Sequence, residues 1–232
     1  TIVRSSDYGV TWNTMSSGTT KNIRSLSFPD DMNGFAAGDS GLVLKTTNGG
    51  LKWTNVSVSV PYMINSVCFV NTTTGWFACN GGKILKTTNA GLTVDTLTTG
   101  TTKNLRGISF NSLTRGTAVG DDGIVLMTKN GGTTWSSMTS PSGKDLRGVH
   151  RVGNTLAYIV GDSIIIREND DALTKINPAD SNHVWYSVDP SPYISGVAVG
   201  STGTMISVNT VVCDNCERKG NHDLLFIPPS ED

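Results

Sequence analysis

Charge is scarce in this chain. Asp, Glu, Lys and Arg make up 16% of its 232 residues, where about a quarter is usual, and the formal net charge is −1. A surface basic enough to neutralise a run of phosphates is not available, so nucleic acid is not an expected partner. Long apolar runs are also missing. None approaches the roughly eighteen residues of a membrane span, so the chain is expected not to cross a bilayer. The N-terminal stretch Thr1 to Val10 lacks a charged segment followed by an apolar one, so any targeting peptide is expected to lie outside this numbering. Glutamate is limited to Glu168, Glu217 and Glu231. No Ser/His/Asp arrangement at useful spacing and no phosphate loop can be found, so the chain is expected to be non-catalytic, with no cofactor. Cys213-Asp-Asn-Cys216 with His222 is not joined by a second pair at ligand spacing, and zinc needs four ligands, so no metal is expected.

Glycine (26 residues) and threonine (30 residues) are plentiful, a composition that suits many short strands joined by tight turns. An internal period organises them. Ser5-Ser-Asp-Tyr-Gly-Val-Thr-Trp12, Thr46-Thr-Asn-Gly-Gly-Leu-Lys-Trp53, Thr87-Thr-Asn-Ala-Gly-Leu-Thr-Val94 and Thr128-Lys-Asn-Gly-Gly-Thr-Thr-Trp135 align without gaps at a step of 41 residues. A fifth copy, Asn169 to Ile176, keeps only Asp171. Ahead of each lies a Gly-rich pattern, Gly38-Asp-Ser-Gly41, Gly82-Lys83, Gly120-Asp-Asp-Gly123 and Gly200-Ser-Thr-Gly203. Earlier still comes a short apolar run, Ser25-Leu-Ser-Phe28, Ser66-Val-Cys-Phe69, Gly107-Ile-Ser-Phe110 and Gly148-Val-His-Arg151.

Four short runs per unit, punctuated by Gly, Asn and Asp, predict four antiparallel strands, and units of about forty residues with four strands are propeller blades. The fold class expected is therefore all-β, a β-propeller of five or six four-stranded blades in one domain over residues 1–232. Blades are expected at about 13–53, 54–94, 95–135, 136–176 and 177–218. A split blade from 1–15 and 219–232 would close the ring through both termini, because Asp223-Leu-Leu-Phe-Ile-Pro-Pro229 loosely echoes Ile23 to Pro29.

In the recurring box the Asp or Asn side chain (Asp7, Asn48, Asn89, Asn130) is expected to bond backbone N–H groups two residues on. The glycines supply positive φ, and Trp12, Trp53 and Trp135 carry a large apolar body into the next strand. These residues resemble the Asp-box or BNR motif, and the whole unit is similar to blades of the photosystem II stability and assembly factor family, over about residues 1 to 210. The resemblance implies a structural role for the box, at the blade periphery. It further implies a protein client bound by an arginine-bearing face of the propeller. Asp boxes occur also in sialidases, xyloglucan-degrading glycosidases and sorting receptors, so a glycoside hydrolase or glycan-binding propeller is one alternative. A structural subunit of an extracellular glycoprotein assembly is the other.

The period places equivalent residues on rings around the channel. Lys21, Tyr62, Lys103, Lys144 and His183 form one; Arg24, Asn65, Arg106, Arg147 and Tyr186 form the next, three residues on. Six cations at one mouth would favour the acidic or C-terminal segment of a protein partner. Lys21, Arg24, Tyr62, Lys103, Arg106, Lys144, Arg147 and Tyr186 are thus the candidate partner-binding residues. A glycosidase would need paired carboxylates, and Asp145 and Asp189 are the acids the register puts near the channel; Asp189 is expected beside His150. Cys68 and Cys79 sit about equally far from the turn at Asn71 to Gly75, which predicts a disulfide between them. Asn55 and Asn71 head glycosylation sequons, and with the disulfide they point to an extracellular, periplasmic or organelle-lumenal setting. An incomplete sixth blade would allow homo- or hetero-assembly.

Overall fold

The computed structural model describes residues 1–209 except 8, 57–59, 170–171, 177–182, 190–194 and 202–204. Cys213, Cys216, His222 and the expected tail strand lie outside the described residues. The chain is a β-propeller of successive antiparallel sheets, each with strands in sequence order. The first sheet is a pair, β1 (Ile2–Arg4) and β2 (Asn13–Met15). Three four-stranded sheets follow: β3 (Ile23–Ser27), β4 (Gly34–Gly38), β5 (Val43–Thr46) and β6 (Thr54–Asn55); β7 (Ile64–Phe69), β8 (Gly75–Cys79), β9 (Ile84–Thr87) and β10 (Asp95–Leu97); β11 (Leu105–Phe110), β12 (Gly116–Gly120), β13 (Val125–Thr128) and β14 (Ser136–Met138). A fourth holds β15 (Leu146–Val152), β16 (Leu156–Gly161), β17 (Ile164–Asn169) and β18 (Ala172–Ile176). The last described strands are β19 (Trp185–Asp189), β20 (Ser195–Gly200) and β21 (Met205–Asn209). Among the described residues no helix is long and apolar enough to cross a membrane.

The sheets cut the repeat at a different place from the box. Thr54 and Asn55, just past Trp53, pair back onto β5, and Asn13 to Met15 pair onto β1. The stretch after each Trp is therefore the outer strand of the sheet before it, and units read from Trp to Trp run one strand out of phase with the blades.

Second strands are buried along their whole length in β4, β8, β12 and β16, because a neighbouring sheet covers each face. Small and apolar residues in an unbroken run, such as Gly34-Phe-Ala-Ala-Gly38, meet that demand. First strands pack sheet to sheet and are laced by side chains. Ser25 and Ser27 hydroxyls accept from the N–H groups of Val67 and Phe69 at 3.1 and 2.9 Å, Ser66 accepts from Ile108 at 3.3 Å, and Ser109 accepts from Arg151 at 3.0 Å. Cys68 Sγ takes the serine's place for Phe110 N–H at 3.3 Å.

Aromatic stacks seal two junctions. Phe35 on β4 lies flat against Phe69 on β7, centroids 3.5 Å apart, and Trp76 on β8 against Phe110 on β11 at 3.7 Å. At the next junction the position of Phe69 and Phe110 is taken by Arg151. Its Nη1 donates to Glu168 Oε1 at 2.7 Å and to the Thr117 hydroxyl, which donates to Glu168 Oε2 at 2.8 Å, all three residues buried.

The box works over a longer reach than its spacing suggests. Asn48 Oδ1 accepts from Lys52 N–H, Asn89 Oδ1 from Thr93 N–H and Asn130 Oδ1 from Thr134 N–H, each at 2.9 Å and four residues on. The hydroxyls of Thr46, Thr87 and Thr128 accept from the N–H four residues after them and donate to the same Asn Oδ1. Asp7 repeats the pattern with Ser5 and Thr11, and those hydrogen bonds, led by the Thr11 hydroxyl, hold its carboxyl down at about 2. Trp53 is buried and Trp135 half-buried, but Trp12 is exposed.

The expected disulfide is overturned. Cys68 and Cys79 are free thiols. The hairpin pairs Cys68 with Trp76, and Cys79 with Ile64 across a bulge, so the two sulfurs are off register by an odd number of residues and belong to different apolar clusters on opposite faces of the sheet. Burial raises both thiols, Cys79 to about 12. Asn55 and Asn71 are exposed; Asn71 Oδ1 accepts from Thr73 and Thr74 N–H at 3.0 and 2.7 Å, capping the β7–β8 turn.

Candidate functional site

In every first strand the pairing with the second slips by one residue. The slip falls between Ile23 and Ser25, Ile64 and Ser66, Leu105 and Gly107, Leu146 and Gly148, and Trp185 and Ser187. The extra residue in each case is Arg24, Asn65, Arg106, Arg147 or Tyr186. A β-bulge takes a side chain out of the pleat and re-aims it. Here the five re-aimed residues meet: with Asn22 and Ile23 they line an open cavity of about 520 Å³. The sequence register therefore found this ring, and the bulge is what makes it a ring.

The outer ring behaves differently. Lys21 Nζ donates to the Ser40 carbonyl at 3.2 Å, and Lys103 Nζ lies 3.4 Å from the Asp122 carbonyl and 3.7 Å from its carboxylate. Lys144 is exposed, and Tyr62 packs against the apolar cluster of Phe35, Phe69 and Phe77. None of Lys21, Tyr62, Lys103 and Lys144 lines the cavity. His183 lies edge-on to Trp185, centroids 5.9 Å apart.

The expected field of six cations is largely cancelled. Arg24 Nε donates to Asp39 Oδ1 at 2.6 Å, Arg106 Nε to Asp121 Oδ1, and Arg147 to both oxygens of Asp162 at 2.6 and 3.2 Å. Asn65 instead donates to Asn80 Oδ1 at 2.7 Å and to the Leu105 carbonyl at 2.8 Å. For these four bulge residues the partner stands fifteen residues on, where the turn after the second strand opens: Asp39, Asp121 and Asp162 each follow a glycine, and Asn80 follows Cys79. Arg goes with Asp and Asn with Asn, a signal legible within this single sequence that sequence reasoning missed. Asp39 is held below the usual carboxylate range, first by the hydrogen bond from Arg24 and then by that from Asn22, and Arg147 is raised chiefly by its bond to Asp162.

Glycine is needed just before these carboxylates because the first strand crosses there. A Cβ on Gly38 would sit 1.9 Å from the Asn22 carbonyl oxygen, and one on Gly120 2.0 Å from that of Asn104. Asp145, a candidate acid, is a latch: its Oδ1 accepts from Asp122 N–H at 3.0 Å, as Asn104 Oδ1 accepts from Gly81 N–H at 2.9 Å one sheet earlier, and its Oδ2 is 3.7 Å from Arg106. The Asp189 side chain is outside those described, and with it the expected neighbour of His150. Tyr186 is half exposed, its ring 5.8 Å from the Arg147 guanidinium.

The family model for the photosystem II assembly factor YCF48 matches residues 4–102. Over that stretch the chain is similar to BNR-repeat blades. The same fold is found among solved structures. YCF48 from Cyanidioschyzon merolae superposes with a TM-score of 0.68 at 16% identity, over 92% of this chain and 74% of that one. YCF48 bound to D1 peptide gives 0.54 at 15%, over 90% of this chain and 84% of that one. An ancestral GH74 enzyme gives 0.68 at 15%, over 93% of this chain but only 32% of the enzyme. No curated protein matches the sequence. At these identities the BNR-repeat likeness speaks for the propeller fold.

Proposed function

We propose that this propeller is a non-catalytic module that binds a protein partner at the mouth formed by Arg24, Asn65, Arg106, Arg147 and Tyr186, taking an acidic or C-terminal segment. The observation that carries the reading is the ring of bulges, which aims one side chain from each of five sheets at a single cavity. Each arginine is gripped by its own Asp through Nε, Arg147 through Nη2 as well, which fixes the guanidinium and leaves Nη1 to donate to a carboxylate. Recognition then rests on oriented donors more than on net field, since Asp39, Asp121, Asp122, Asp145 and Asp162 share the rim with the cations. That a similar propeller, YCF48, has been seen with a D1 peptide supports a peptide-sized ligand.

A glycosidase reading draws on the GH74 likeness, yet Asp145 already serves as a structural latch. The compartment follows the partner. With free thiols at Cys68 and Cys79 the argument for an oxidising setting is withdrawn, and a lumenal location rests on the resemblance to the assembly factor.

The test uses fluorescent peptides that differ only in a free or amidated C-terminus. The free carboxylate should bind more tightly, and Arg106→Ala should weaken it about tenfold or more, the scale of a lost charged hydrogen bond of roughly 1.5–3 kcal/mol. Lys103→Ala should do less, and salt should weaken binding only modestly. Unchanged binding after replacing Arg24, Arg106 and Arg147 together by Ala would make the mouth ordinary surface.

A further inference from the structure

The bulge residues that line the mouth are not alike in what they can give a ligand. Arg24, Arg106 and Arg147 carry donors only, since a guanidinium has no acceptor. Asn65 carries both a donor and an acceptor, and its surroundings have used one of them. Its Nδ2 donates to Asn80 Oδ1 at 2.7 Å and to the Leu105 carbonyl at 2.8 Å, which commits both amide hydrogens. A main-chain carbonyl can only accept, so Leu105 fixes which end of the Asn65 amide is nitrogen. The other end, Oδ1, takes no hydrogen bond among the described residues. Strand β7 packs against both β3 and β11, so this acceptor stands between the sheets that carry Arg24 and Arg106, and Asn65 lines the same cavity of about 520 Å³ as they do.

We propose, building on the reading of the mouth as a carboxylate site, that Asn65 Oδ1 accepts the backbone N–H of the partner's C-terminal residue while the neighbouring guanidiniums hold that residue's α-carboxylate. Three arginines alone would take any anion. An anion without a donor, such as phosphate, gives Asn65 Oδ1 nothing to accept and sets its own oxygens against that atom, so the mixed ring selects against it. In a C-terminal residue the N–H and the carboxylate hang on one Cα, with the nitrogen and the carboxyl carbon about 2.5 Å apart. Donor and anion then arrive together in a fixed relation. An internal Asp or Glu holds its carboxylate one or two rotatable carbons further from its own N–H, and ordering that link costs entropy. The neutral Asn65–Asn80 pair is what opens the position to an N–H. Arg with Asp, the pair that three other sheets use, would have put a fourth donor there.

The probes are three pools of fluorescent heptapeptides, randomised at all but the last position, that end in Ala, in lactic acid or in Ala amide. Lactic acid keeps the carboxylate and the methyl group and replaces the last N–H by an ester oxygen, with no added bulk. On the immobilised full chain the Ala pool should be retained about tenfold or more above the lactic acid pool, and also above the amide pool. Asn65→Arg with Asn80→Asp copies the pair of the other three sheets and should bring the Ala and lactic acid pools to within about twofold of each other. Asn65→Ala, which removes the acceptor without adding charge, should level them likewise and serves if the double variant does not fold. Equal retention of the Ala and lactic acid pools by the wild-type chain, both above the amide pool, overturns the role of Asn65 and leaves the carboxylate site standing. Retention of the amide pool equal to that of the Ala pool, or of no pool at all, removes the carboxylate site and the N–H contact with it. A preference for Ala over lactic acid that survives in the Asn65 variants overturns the proposal by placing the acceptor on another group.

Discussion

Two junctions between neighbouring sheets solve one packing problem in opposite ways. Between the sheets of β7–β10 and β11–β14 the first-strand residue is Phe110, covered by Trp76. One junction later Arg151 stands in the place of Phe110 and Thr117 in that of Trp76, and Glu168 reaches across from β17 to neutralise the guanidinium. The aromatic pair seals by area and dispersion and tolerates imperfect partners. The ionic pair is all or nothing, because each charge has left water and only the other neutralises it, the Thr117 hydroxyl and the Asn154 carbonyl adding hydrogen bonds but no charge. A repeat can therefore exchange one device for the other only by changing several residues together.

The largest effect should come from breaking the ionic device on one side. Glu168→Ala strands a buried arginine and should cost about 3–5 kcal/mol, read as a shift in the urea midpoint without a change in slope. A cost under about 1 kcal/mol would mean water reaches Arg151. Converting the junction wholesale sharpens the comparison. Arg151→Phe, Thr117→Trp and Glu168→Thr together copy the preceding junction, where Thr128 pairs with Gly116 as Glu168 pairs with Ala157, and should be neutral or stabilising by about 1–4 kcal/mol; a triple variant as unstable as Glu168→Ala would show that the two junctions differ in shape as well as chemistry. The smallest effect tests the same charged-for-neutral exchange in the boxes. Asp7 is charged where Asn48, Asn89 and Asn130 are not, and its folded value of about 2 lies below the ordinary 3.8. Its contribution is complete above about pH 3.8 and is lost as pH falls toward 2. Tryptophan fluorescence should therefore report a small acid transition near β1 and β2 in the wild type that Asp7→Asn removes; an identical transition in both would assign it to another carboxylate.

What could be read from the sequence was what the repeat states four times over: strand count, box, and the ring of Arg24, Asn65, Arg106, Arg147 and Tyr186. Features that depend on register were not legible. The spacing of Cys68 and Cys79 about their turn looked symmetrical, but a hairpin pairs residues in strict alternation, and a miscount of the turn moves a side chain to the other face. The Arg–Asp pairs are written only in which positions change together from blade to blade, a pattern that no single ring displays. Glu168 sits on β17, the third strand of its sheet, and nothing in its own sequence neighbourhood announces that Arg151 would reach it.

The bulges have an evolutionary corollary. A residue inserted beside the ladder contributes little to the pleated faces, so its identity is nearly uncoupled from the packing that holds the blades together. Five such positions amount to an address that drift can rewrite letter by letter, four of them together with a partner fifteen residues on, while the scaffold stays as it is. Asn65 with Asn80 already shows one letter changed.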